Sequence, residues 1–118
     1  MFWNISNHPV AKWSAEQTAE AQKYGEIRDL PFPNVPTANS TADVGSLAET
    51  VCQGVADSDT CMVQGEFTLV YAIVKRLRAR GVRVVAACSE RRVRDELKPD
   101  GSTEKVAIFI FVAFRPYE

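Results

Sequence analysis

Residues 60–88, TCMVQGEFTLVYAIVKRLRARGVRVVAAC, hold two apolar strands on either side of one amphipathic helix, and that order decides the fold. Thr60 to Val63 is a brief apolar run that passes into Gln64, Gly65, Glu66, Phe67 and Thr68. Phe67, Val70, Tyr71, Val74 and Leu77 then recur at helical spacing, with Lys75, Arg76, Arg78 and Arg80 largely on the other side, and Gly81 ends the helix. Val82 to Cys88 is nearly uninterrupted and rich in valine, as expected of a central parallel strand covered on both faces.

Toward the amino terminus the same alternation repeats. Met1 to Ile5 reads as a strand that leaves through Ser6, Asn7, His8 and Pro9. Ser14 and Gln17 match a capping box, so a helix is expected from there to about Tyr24, stopped by Gly25. Glu26 to Leu30 forms a short second strand before the proline loop 31–36. Val44, Leu47, Val51 and Val55 share a helical face, with Ser40 or Thr41 as cap. Toward the carboxyl terminus, Val106 to Phe114 is a further apolar strand after a turn at Pro99, Asp100, Gly101 and Ser102. Its short connection to the Val82 strand predicts antiparallel pairing, with Arg91 to Leu97 as a hairpin extension or a single helical turn. The expected fold is therefore α/β, a single Rossmann-like three-layer domain over residues 1–118 with a mainly parallel sheet and an antiparallel C-terminal strand.

The chain has 118 residues, 46% of them apolar and 25% charged, and its 14 basic and 15 acidic side chains leave a net charge of -1. That balance argues against binding to long nucleic acid or an anionic membrane surface. Cys52, Cys61 and Cys88 lack zinc-type or CxxC spacing and are expected as reduced thiols. With no apolar run of spanning length and no leader, the protein is expected to be cytoplasmic and not membrane-bound. One histidine and scattered carboxylates give no metal site, and neither a P-loop nor GxGxxG predicts a nucleotide cofactor; none is expected.

Parallel sheets bind ligands beyond the carboxyl ends of their strands, so the exit loops are where chemistry is expected. They carry Ser6, Asn7 and His8; the proline loop; Gln64, Gly65, Glu66 and Thr68; and Ser89, Glu90, Arg91 and Arg92. Gly65 and the helix opening near Glu66 can receive an anion, or Glu66 and Thr68 can simply cap that helix. His8 can move protons near neutral pH, or serve only as a turn residue. Arg91 or Arg92 can fork onto phosphate oxygens, or form a solvated ion pair with Glu90 and Asp95. Trp3, Trp13 and Phe32 can stack on a base or pack beneath helices. No GxSxG elbow makes Ser89 a nucleophile.

Asn4 to Pro9, Trp13 with Gln17, Asp29 to Pro33, Val63 to Thr68 and Ser89 to Arg91 together resemble small CRISPR-associated proteins of type III systems, related to Rossmann-like (CARF-type) sensor domains and ring nucleases. The resemblance implies a homodimer that cradles a cyclic oligoadenylate, usually cyclic tetra-adenylate, across its two-fold axis. It also implies metal-independent cleavage, in which a ribose 2′-hydroxyl attacks the adjacent phosphorus. Carried onto this sequence, it casts His8 and Arg91 as catalytic, for proton transfer and charge neutralisation respectively. Ser6, Asn7, Gln64, Gly65, Glu66, Thr68 and Ser89 become the ligand-binding set, with Asn7 and the amides around Gly65 on phosphate and Gln64 and Thr68 on sugar or base. The chain departs from better-known ring nucleases in having no Lys in the first-strand loop; Lys12 is slightly displaced. A non-catalytic sensor acting through a partner, and a flavodoxin-like small-molecule binding domain, are the competing expectations.

Overall fold

The apolar runs are too short for helices, and in the computed structural model, which describes residues 1–118, they become adjacent strands. In chain order the elements are β1 (Phe2–Ile5), α1 (Ala15–Gln22), β2 (Ile27–Asp29), α2 (Thr41–Gln53), β3 (Thr60–Val63), α3 (Phe67–Ala79), β4 (Arg83–Leu97) and β5 (Thr103–Pro116). The sheet order is β2-β1-β3-β4-β5, with only the β4–β5 pair antiparallel. From β1 the chain first moves outward to β2 and then returns past β1 to β3. Between β1 and β3 the winding reverses, which is where such sheets open a crevice.

Three layers follow from which faces are apolar. Every residue of β3 is buried, because helices cover both sides of it. Phe2, Met62 and Val85 pack with Ala21 of α1 on one face. On the other, Ile5, Cys61, Val63 and Val84 pack with Val44, Ala48 and Val51 of α2 and with Leu69, Ile73 and Leu77 of α3. Ser14 caps α1 and Ser40 forms a capping box with Asp43 at α2.

The buried stripe of α3 is Leu69, Ile73, Val74 and Leu77, rotated from the expected one. Phe67 and Tyr71 are instead 88% and 69% exposed. Both stripes satisfy helical spacing, and packing decides between them: Leu69, Ile73, Val74 and Leu77 join Ile5, Val63 and Val84 of the sheet in one buried cluster.

β4 does not end at Cys88. It runs fifteen residues, and Ser89 to Leu97 pair residue for residue with β5 after a register shift at Cys88/Ser89. The expected exit loop Ser89–Arg92 is thus strand, and Arg91 to Leu97 form the hairpin extension. Gly101, at φ +87°, closes the turn in the left-handed region that suits glycine. The projecting hairpin stretches the molecule to 55 × 38 × 24 Å, with a radius of gyration of 17.0 Å, against about 13–14 Å for a compact domain of this length.

Cys52 and Cys61 are buried and Cys88 is half-buried; all are free thiols. Burial pushes the Cys61 thiol up to about 12 and raises Cys52 as well, so neither supplies thiolate at neutral pH. Titration of the native protein with a thiol reagent at pH 8 is therefore expected to modify Cys88 first, with the other two reacting only on unfolding. Fast native modification of Cys61 would contradict this packing.

Candidate functional site

The turn after β1 is built by a buried amide. Asn4, 1% exposed, sits at the end of β1, where its side chain must find partners inside the protein. Its Nδ2 donates to the His8 carbonyl at 2.7 Å and to Asp29 Oδ1 at 2.9 Å, and its Oδ1 accepts from the Ser6 hydroxyl at 2.6 Å. Ser6 Oγ accepts in turn from the His8 amide, and the Trp13 indole donates to the His8 carbonyl at 3.0 Å. Five hydrogen bonds thereby hold one short loop, and the His8 imidazole stands at its exposed outer side.

His8 borders a cleft of about 490 Å³ at the carboxyl ends of the strands. Gln64 follows β3 at its floor, and its Oε1 accepts from the Ala87 amide of β4 at 2.9 Å, so its orientation is set by the sheet. Ser89, Phe109 and Phe111 form the far wall, while Lys12, Trp13, Ser14 and Gln17 form the near one. Trp13 is fixed edge-on against Phe2 at 6.2 Å, and Phe111 packs on Phe114 at 5.0 Å. The lining holds Lys12 and His8 but no Asp or Glu. Aromatic walls, neutral polar groups and a cation without a carboxylate suit a ligand that combines a flat ring system with negative charge.

Of the residues named from sequence, the structure brings His8, Gln64 and Ser89 to this cleft. Arg91 lies on the same face of β4 as Ser89, opposite Phe109, one step outside it. Ser6 is buried as the support of the loop. Asn7 and Glu66 meet in a separate recess of about 360 Å³ beside Phe32 and Pro33.

Thr68 faces a groove of about 540 Å³ between α2 and α3, larger than the cleft and on the other face of the sheet from α1. Gly65 is explained by packing, since a Cβ there would lie 2.7 Å from the Phe32 ring. Glu66 caps α3, accepting from the amides of Thr68 and Leu69 and from the Thr68 hydroxyl. These bonds, the Thr68 hydroxyl foremost, hold its carboxyl below the usual range. A fixed negative charge therefore sits on the amides expected to receive phosphate, which opposes an anion there.

Residues that sequence reasoning did not assign to the site are Asn4, Lys12, Ser14, Gln17, Phe109 and Phe111. Lys12 is carried in by a single 3-10 turn, Val10–Lys12, anchored where the Val10 amide donates to Asp29 Oδ1. Phe109 and Phe111 arrive from the far end of the chain through the β4–β5 register, which no local pattern announces. Asn4 had a readable signal: a lone amide inside an apolar strand. Side chains of His, Cys, Asp and Glu form no group of three that could hold a metal ion, and no helix is long and apolar enough to cross a membrane.

Replacing Asn4 by Leu removes three side-chain hydrogen bonds and takes from the buried Ser6 hydroxyl its acceptor at 2.6 Å, and is expected to lower stability by roughly 1–3 kcal/mol. Denaturant unfolding measures the loss, and an unchanged midpoint would contradict the central place given to this amide.

Comparison with known proteins adds a family without a function. Among curated proteins and among solved structures nothing matches. A family profile described as "Uncharacterized protein MJ1673 family" aligns with residues 1–115, nearly the whole domain and all of the cleft. The chain belongs to that family.

Proposed function

We propose that the cleft binds an adenine nucleotide chain and that the protein is a metal-independent ring nuclease acting on a cyclic oligoadenylate, most simply cyclic tetra-adenylate. The observation that carries this reading is the cleft's composition: Trp13, Phe109 and Phe111 offer faces for bases, Lys12 offers positive charge beside His8, and no carboxylate lines it. The resemblance to type III CRISPR-associated proteins narrows nucleotide to cyclic oligoadenylate. Arg91, adjoining the cleft along β4, adds a second permanent cation for phosphate.

The reaction needs no protein nucleophile. A ribose 2′-oxygen attacks the neighbouring phosphorus while the bond from phosphorus to the 5′-oxygen breaks. The ring opens to a linear chain with a 2′,3′-cyclic phosphate at one end and a 5′-hydroxyl at the other. In this reading His8 accepts the 2′-hydroxyl proton or delivers one to the departing 5′-oxygen. Lys12 and Arg91 offset charge on the phosphoryl oxygens, and Gln64, oriented by its bond to Ala87, holds sugar or base. The network through Asn4 keeps the His8 backbone from drifting as the proton moves.

Incubating purified protein with labelled cyclic tetra-adenylate in excess EDTA tests this directly. Linear product bearing a cyclic phosphate is expected. Retained intact ring would support a binding sensor instead, and absence of both cleavage and binding would overturn the nucleotide reading. His8→Ala is expected to lower kcat by about 10²–10⁴-fold with little change in affinity. Arg91→Ala is expected to affect both turnover and affinity. Turnover by the His8 variant at the native rate would remove its role in proton transfer.

A further inference from the structure

The packing of α3 leaves outside a surface that the cleft does not use. Phe67, Tyr71, Lys75 and Arg78 recur at spacings of four, four and three, so they share one exposed stripe about 16 Å long. It is aromatic at its start and cationic at its end. Beside it runs the α2–α3 groove of about 540 Å³, whose lining includes the small residues Thr41, Gly45 and Ala72. Gly45 lies against Arg76, and the Cys52 carbonyl accepts from Arg80, so α2 and α3 run parallel.

The charges of this surface are unbalanced. No acidic residue lies between Phe67 and Ala79, and the acids nearby are already engaged. Glu66 caps α3, Asp43 closes the capping box of α2, and Glu49 reaches Arg76 at 4.0 Å. Arg80 is held by Asp57 at 2.8 Å. Of the four cations from Lys75 to Arg80, only Lys75 and Arg78 have no ion-pair partner within 4.0 Å.

We propose that this groove docks a helix of another protein, amphipathic and acidic in its first turn, laid antiparallel to α3. The exposed rings of Phe67 and Tyr71 beside small groove residues give apolar side chains at helical spacing a place to seat. Antiparallel docking brings the partner's first turn over Lys75 and Arg78. Acidic residues there are favoured twice, by those two cations and by the partner helix's own dipole. Charge also decides against other occupants. The same stripe of a second copy would bring two more cations and no acid. Two unpaired cations at one end of an aromatic stripe are too few for a nucleic-acid backbone, whose binding is spread over many phosphates.

The groove lies on the other face of the sheet from α1, whose first turn borders the cleft. Docking there does not rest on the proposed function, and leaves the cleft open.

Two stapled helical peptides test this without nucleotide. One carries Glu in its first turn and Leu at helical spacing after it; its twin has Lys in place of each Glu. At low salt the native chain is expected to bind the acidic peptide at least about 10-fold more tightly than the twin, with the gap shrinking as salt rises. Lys75→Glu combined with Arg78→Glu is expected to reverse that preference. Tyr71→Ala is expected to weaken the acidic peptide about 10-fold or more. All three positions are exposed, so these variants are expected to unfold at the native midpoint in denaturant. NMR shifts on adding the acidic peptide are expected at the amides of Gly45, Thr68 and Ala72. Binding of neither peptide, binding blind to the sign of charge, a preference the double variant does not reverse, or shifts confined to the His8 cleft would each overturn the proposal. So would tighter binding to single-stranded RNA or to anionic vesicles than to the acidic peptide, or self-association of the native chain that Tyr71→Ala abolishes. None of these outcomes depends on whether a cyclic oligoadenylate is bound or cleaved.

Discussion

The side chain of Asn4 is the constraint on which the site depends. A primary amide at the end of a buried strand has no water to satisfy it, so the loop that follows must bend back to supply partners. Doing so ties three separate pieces of chain together: the His8 turn, Asp29 at the end of β2, and through Asp29 the 3-10 turn that carries Lys12. With that network in place, His8, Lys12 and Trp13 stand at one edge of the crevice between β1 and β3.

The remaining walls come from the sheet itself. Because β4 outruns its parallel neighbours, its pairing with β5 lifts Ser89, Phe109 and Phe111 above the ends of β1 and β3. The cleft is thus bounded by a loop on one side and a rigid ribbon on the other, and its floor amide, Gln64, is bonded to that ribbon.

Much of the architecture was legible in residues 60–88, because an apolar run, an amphipathic helix and a second apolar run admit few arrangements. The capping residues Ser14 and Ser40 were readable because an N-cap hydroxyl acts within three residues. The phase of α3 was not, since two stripes share the helical period and only packing against the sheet and α2 chooses between them. Of the site, His8 and Gln64 could be placed from topology, as they follow strand ends, whereas Ser89 reaches the cleft from within β4 and not from the exit loop expected there. Glu66, Thr68 and Gly65 follow a strand end too, yet their roles are a helix cap and a close contact with Phe32, a residue more than thirty positions away. Phe109 and Phe111 became visible only with the register of a long hairpin, a property of two strands together.

The ligand is proposed to sit in the cleft beside His8 and Trp13 and not in the larger α2–α3 groove. Amide and side-chain NMR shifts on addition of cyclic tetra-adenylate, in EDTA and with the His8→Ala variant to prevent turnover, test it most directly. The account predicts changes concentrated at the Trp13 indole, the Gln64 side-chain amide, the Ala87 amide and Phe109. Changes confined to Phe67, Thr68, Tyr71 and Arg76, the residues lining the other groove, would contradict it.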